Sequence, residues 1–216
     1  MAKVKISKKS TRIDMTAMCD VAFLLLSFFI MSATAKQPEP KAVDIPASTV
    51  IDKLPEEGVA VITVGGEAVF FTMPQKIREA TLRKMSAKYR IPFTAEEYKI
   101  FAGMDGFGVP MNQLNGLLRL EPARRNEPDT QIGIPYKDSV NNQLGDWVKE
   151  ARQANKEWLN ERLANNEQNV EMKDLDLAIK GDAKENFTTV KKVIDILQDQ
   201  KKNKFFLVTN LRGENF

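Results

Sequence analysis

The stretch that decides the fold is Ile13-Asp14-Met15-Thr16-Ala17-Met18-Cys19-Asp20-Val21-Ala22-Phe23-Leu24-Leu25-Leu26-Ser27-Phe28-Phe29-Ile30-Met31. From Met15 to Ala35 there are 21 residues, nearly all apolar or small, with one formal charge at Asp20. About 20 such residues carry an α-helix across the hydrocarbon core of a bilayer. A carboxylate in that setting costs roughly 2.5–3.5 kcal/mol on insertion scales, so it usually faces a protein interior and has a task. Asp20 is therefore the first candidate functional residue. At about 100° per residue, Thr16, Asp20, Ser27 and Thr34 gather on one stripe, and Phe23, Leu25, Phe28 and Phe29 are assigned to the opposite face. A polar stripe around one acid is how a proton- or ion-handling helix looks when it packs against partner helices. The plainer alternative is that Thr and Ser bond back to their own helix carbonyls.

The flanks set orientation. Lys3, Lys5, Lys8, Lys9 and Arg12 precede the apolar run, and only Lys36 follows it closely. By the positive-inside rule the N-terminus stays cytoplasmic and the rest is exported, which predicts a single-pass protein of a bacterial inner membrane with a periplasmic domain. The same features, with Ala33-Thr34-Ala35, also fit a secretory signal with an A-x-A cleavage site. Asp20 and the length of the segment favour a retained anchor.

The net charge of +3 belongs wholly to residues 1–35; beyond them 27 basic side chains face 27 acidic ones. A nucleic-acid surface would need a basic patch on the folded part. With no histidine and one cysteine, Cys19, the usual general base, most zinc sites and Ser-His or Cys-His nucleophiles are removed. No glycine-rich phosphate loop is seen, so the chain reads as neither an enzyme nor a cofactor or metal protein.

Outward from the anchor, a basic tail (1–14) and the membrane helix (15–35) lead into residues 36–58, where Pro38, Pro40, Pro46 and Pro55 predict an extended, poorly packed linker. Inside it, Val43-Asp44-Ile45-Pro46-Ala47-Ser48 is suited to add as an edge strand to a partner. Residues 59–216 read as a small α+β domain. Val59–Val64, Gly65-Gly66 and Ala68–Phe71 predict a hairpin. Leu175–Lys180, a helix capped by Asn186 through Val190, Val193, Ile194 and Leu197, and Phe205–Thr209 predict a β-α-β unit, with Lys201-Lys202 closing the helix. Between them lies a long, mostly helical insertion, residues 74–170: an amphipathic helix from Pro74 to Tyr89, a short one capped by Thr94, another over Met111 to Leu120, and a long polar helix from Ser139 to Asn165. Trp147 and Trp158 are expected to be packing anchors. The run from Lys149 to Arg162 is expected to be a solvated helix face.

Residues Ile13 to Leu26 closely resemble the signature of the ExbD/TolR family, in which an Asp/Asn-x-Thr-Pro-φ-x-Asp run opens the only transmembrane helix. Ala17 stands where that family usually has proline, and the Thr16–Asp20 spacing is intact. Val43 to Ser48 looks like the family's post-membrane motif, a partner-binding element through Val43, Asp44, Ile45 and Pro46. The last 45 or so residues resemble its periplasmic end. The resemblance, taken over about 120 residues, implies a proton-driven motor. In such a motor a dimer of this subunit sits inside a pentameric ExbB/TolQ-like membrane protein and acts on a TonB-like periplasm-spanning protein. Asp20 would then bind and release protons, with Thr16 beside it. A TolR-like envelope-integrity subunit and an anchored or secreted periplasmic binding module are the other readings. The client, stoichiometry and role of the insertion are not written in the sequence.

Overall fold

A computed structural model of the chain describes residues 15–32, 39–48, 55, 58–127, 130–138, 141–165 and 171–211. The chain divides into two compact units, Met1–Lys36 and Gln37–Phe216. In the first, Met15–Ser32 forms a helix, α1, long and apolar enough to cross a membrane. At 1.5 Å per residue it is about 27 Å long, close to a hydrocarbon core. None of its residues is buried within the chain. Residues 33–35, expected to continue it, lie outside the described residues.

The second unit is a mixed α+β domain. Its elements in chain order are β1 (Ala47–Ser48), β2 (Val59–Gly65), β3 (Ala68–Thr72), α2 (Gln75–Tyr89), α3 (Ala95–Gly103), β4 (Gly106–Phe107), a 3-10 turn (Met111–Gln113), α4 (Leu114–Arg119), α5 (Pro122–Arg125), α6 (Gln143–Ala164), β5 (Asp176–Gly181), α7 (Phe187–Asp199), β6 (Phe206–Leu207) and β7 (Asn210–Leu211). Five strands form one sheet in the order β4-β3-β2-β5-β6. β2 and β3 are the antiparallel hairpin, whereas β5 lies parallel to β2, and β6 parallel to β5 across the α7 crossover.

Alternation decides which face of the sheet is buried where. Ala60, Ile62 and Val64 on β2 stand beside Val69 and Phe71 on β3 and Leu177 and Ile179 on β5. Together with Ile77, Leu82 and Met85 of α2, Phe101 of α3, Leu144, Trp147 and Val148 of α6, and Val193 and Leu197 of α7, they make one core. Trp147 is fully buried, stacked on Phe101 at 5.8 Å and edge-on to Phe107 at 4.6 Å. The helices of 74–170 are thus built into the same core as the strands on either side of them.

Several expectations need correction. The hairpin turn is Gly66-Glu67, one residue later than expected; both have positive φ (62° and 57°), as a tight right-twisted hairpin requires. Gly65 pairs with Ala68 inside the ladder. The helix expected over Met111–Leu120 opens as a 3-10 turn. The long helix starts at Gln143, where Asn142 accepts a hydrogen bond from the Gly145 N–H at 2.9 Å. Asn186 stands at the α7 cap without a side-chain cap bond. Of the last predicted strand, Phe206–Leu207 pairs with β5, and the Val208 N–H donates to the Ile179 carbonyl at 2.9 Å. Thr94 does cap α3, and Glu97 completes a reciprocal capping box, the Thr94 and Glu97 side chains each accepting from the other's backbone N–H.

The charged face of α6 is only partly solvated. Arg152 forks onto Asp174, its closest bond 2.7 Å, and donates to the Gln200 carbonyl at 3.0 Å. Lys202, expected to serve the α7 dipole, is buried and reaches the same Asp174 at 3.5 Å. Burial alone would raise the Asp174 pKa; bonds and charge from Arg152, with Lys202 and Lys156 nearby, outweigh it and hold the carboxyl below its ordinary value. This clamp ties α6 to the entry of β5 and the exit of α7.

Candidate functional site

Asp20 is the one charged residue of α1. It is exposed, and no described cation reaches it. Thr16 stands one turn before it, where the spacing of four places both on one face. Ser27 lies on the same stripe, with its hydroxyl donating to the Leu24 carbonyl at 2.9 Å, the back-bonding that the plainer reading foresaw. Phe23 needs correction: three residues after Asp20 and four before Ser27, it interrupts the polar stripe and does not stand opposite it. Thr34 lies outside the described residues. The result is a carboxylate flanked by a hydroxyl on one side and an aromatic ring on the other. All of them project from a helix that buries none of its residues.

The second candidate region is the segment 39–48. The linker was expected to be poorly packed, yet here it runs extended along the face of the sheet opposite the core. Glu39 pairs with Lys180 of β5. Pro40 lies over Gly106 of β4, its Cγ 3.2 Å from where a Cβ on that glycine would stand. Val43 fills the space over Gly65 of β2, where a Cβ would meet Val43 Cγ1 at 2.7 Å. The Asp44 carbonyl accepts from the Ala183 N–H at 2.7 Å, and the Asp44 carboxylate stands 3.8 Å from Lys184 with both side chains exposed. Val43 and Ile45 are half-buried while Asp44 and Pro46 are exposed, so the alternation of a strand is present. Ala47 and Ser48 do pair as a strand, but parallel to Asn210 and Leu211 of the same chain.

These two features, a membrane-length helix with one acid and a post-helix strap on an α+β sheet, have a shared precedent. Residues 7–211 match the family described as biopolymer transport protein ExbD/TolR. The chain belongs to the ExbD/TolR family. The match runs well past the 120 residues that carried the resemblance and spans the helical stretch 74–170. No curated protein and no solved structure matches the chain. As an ExbD/TolR member it is a membrane-associated component of biopolymer transport, and the one membrane-length apolar helix among the described residues fits single-pass anchoring. Among the described residues no three His, Cys, Asp or Glu side chains are grouped to hold a metal. What sequence reasoning missed is the seat of the strap. Gly65 and Gly106 are the signal, glycines inside strands that leave room for another backbone's side chains.

Proposed function

We propose that this chain is an ExbD-like subunit of an inner-membrane motor driven by the proton-motive force, with Asp20 as the group that takes up and releases protons. The single observation that carries the reading is Asp20 itself, the sole charge in an 18-residue apolar helix of an ExbD/TolR member. An ionisable carboxyl within a membrane span is costly unless it faces a protein interior or a water-filled path, and such groups mark proton relays. Each proton that crosses 100 mV releases about 2.3 kcal/mol. Protonated, Asp20 tolerates an apolar wall; ionised, it seeks a polar one. That alternation turns proton passage into movement of α1 within a pentameric ExbB/TolQ-like partner, with Thr16 as a neighbouring hydroxyl. The N-terminal cations keep residues 1–14 in the cytoplasm, and residues 37–216 act in the periplasm on a TonB-like protein as a homodimer within the complex.

The test is Asp20→Asn. Energy-dependent uptake across the outer membrane is expected to be lost with abundance and membrane insertion unchanged, while Asp20→Glu retains part of it. Full uptake by Asp20→Asn overturns the proton role. Detergent sensitivity with normal uptake assigns the chain to a TolR-like motor instead.

A further inference from the structure

A cavity of about 260 Å³ lies where α3 and its link to β4 meet α5. Ile100, Met104 and Pro122 give it an apolar wall, and Lys99 and Arg125 give it two cations. Arg125, the last residue of α5, is half-buried. Its Nε donates to the Leu120 carbonyl at 3.0 Å and its Nη2 to the Leu118 carbonyl at 3.2 Å. Both bonds leave from the side edge of the guanidinium and tie it to the exit of α4. A guanidinium has five N–H donors; with two in use, three remain, on the Nη1–Nη2 end of the fork. No carboxylate among the described residues answers them: burial is the one influence on the Arg125 pKa, and it lowers it. Lys99 is exposed on α3 and, like Arg125, forms no ion pair among the described residues. The acid in the lining is Asp105, and it is met at 3.2 Å by the buried Arg78, which the Met73 and Ala102 carbonyls also hold. Lys99 and Arg125 therefore set the potential of the cavity. A partly desolvated cation without a counter-ion is costly, and an anion seated beside it lowers that cost. Drug-sized sites run to roughly 300–1,000 Å³, so this volume suits a small group. The half-exposed Asp105 in the same wall disfavours a dianion, and the apolar side chains favour a short aliphatic stem.

We infer that this cavity binds a single carboxylate on a short aliphatic stem. The carboxylate sits on the open end of the Arg125 fork with Lys99 beside it, and the stem lies against Ile100, Met104 and Pro122. An acidic side chain of a peptide and a free short-chain acid share that chemistry. The inference does not depend on Asp20, so either can fail alone.

The test uses the full chain in lipid nanodiscs, titrated by calorimetry with butanoate, butanamide, inorganic phosphate and acetyl-Ala-Glu-Ala-amide, in which the glutamate side chain is the sole carboxylate. Saturable binding of butanoate is expected, with butanamide weaker by about tenfold or more. Arg125→Lys keeps the charge and loses the fork, and should weaken butanoate binding about tenfold. Lys99→Gln should weaken it about threefold, as for an exposed charge. Lys99 has no partner among the described residues, so its variant decides the matter if Arg125→Lys does not fold. Tighter binding of the peptide than of butanoate assigns the site to an acidic side chain; equal or weaker binding assigns it to free acids. Phosphate binding tighter than butanoate, equal affinity for acid and amide, unchanged affinity in every variant that folds, or no saturable binding of either carboxylate overturns the inference.

Discussion

Asp20 and Asp174 are both carboxylates, and the chain treats them in opposite ways. Asp174 is met from two sides by Arg152 and Lys202, and its ionised form is held by bonds that the domain supplies. Asp20 is met by no described cation, on a helix that buries none of its residues. A charge matched within its own chain serves the fold. One that meets no described cation along a membrane-length helix is the kind that marks a functional site. The two units differ in the same sense: the second buries Trp147, Phe71 and Leu82 to below 1%, while the described residues of the first include none that is buried.

The largest effect that sharpens this contrast is expected from Trp147→Ala. Emptying the centre of the aromatic stack should cost about 3–5 kcal/mol, read as a fall in thermal midpoint of the second unit in detergent, with α1 still inserted. Next comes Arg152→Met, which leaves Asp174 with weaker support. For a pair still partly exposed to water the expected loss is about 1–2 kcal/mol. It carries a pH signature as well. The folded-state pKa of Asp174 is lowered, so its contribution is present above the unfolded pKa and is lost as pH falls through the folded one. A plot of stability against pH should therefore be flatter on its acid limb in Arg152→Met than in the parent. An unchanged limb would show that Asp174 is not the clamp described. Thr94→Ala removes half of the capping box and should cost about 1 kcal/mol. Gly65→Ala is the smallest, about 1 kcal/mol or less and below the 1–3 kcal/mol of overpacking in a closed core, because the strap over it can lift. Its readout is faster amide exchange over residues 43–48 with little change in global stability.

The legible parts of the sequence were those whose signal is local. Apolar runs on either side of a glycine pair gave β2 and β3, alternation gave β5, and the 3.6-residue period gave α2 and α7. Thr94, read as a cap, gave the start of α3. Asp20 was legible for the same reason, a charge set in an apolar run. The contacts that tie distant segments together were not. Arg152 looked like one more charge on a polar helix because its partner lies 22 residues on, past the helix end. Val43 looked like part of a free linker because nothing near it in sequence announces Gly65. The placement of Phe23 was misjudged on local evidence that, counted by turns, already set it beside Asp20.

The parallel pairing of β2 with β5 has a consequence for how the molecule is made. Val59 finds Asp176, its neighbour in the sheet, 117 positions later. Until those residues emerge, the central strand has its hairpin partner on one edge and nothing on the other. Closing so long a loop is slow, and an unpaired apolar strand invites association with other nascent chains. A chain truncated before β5 keeps the hairpin and most of the helices but lacks the strand that completes the centre of the sheet. The last forty residues therefore decide whether all that was synthesised before them becomes a domain or an aggregate.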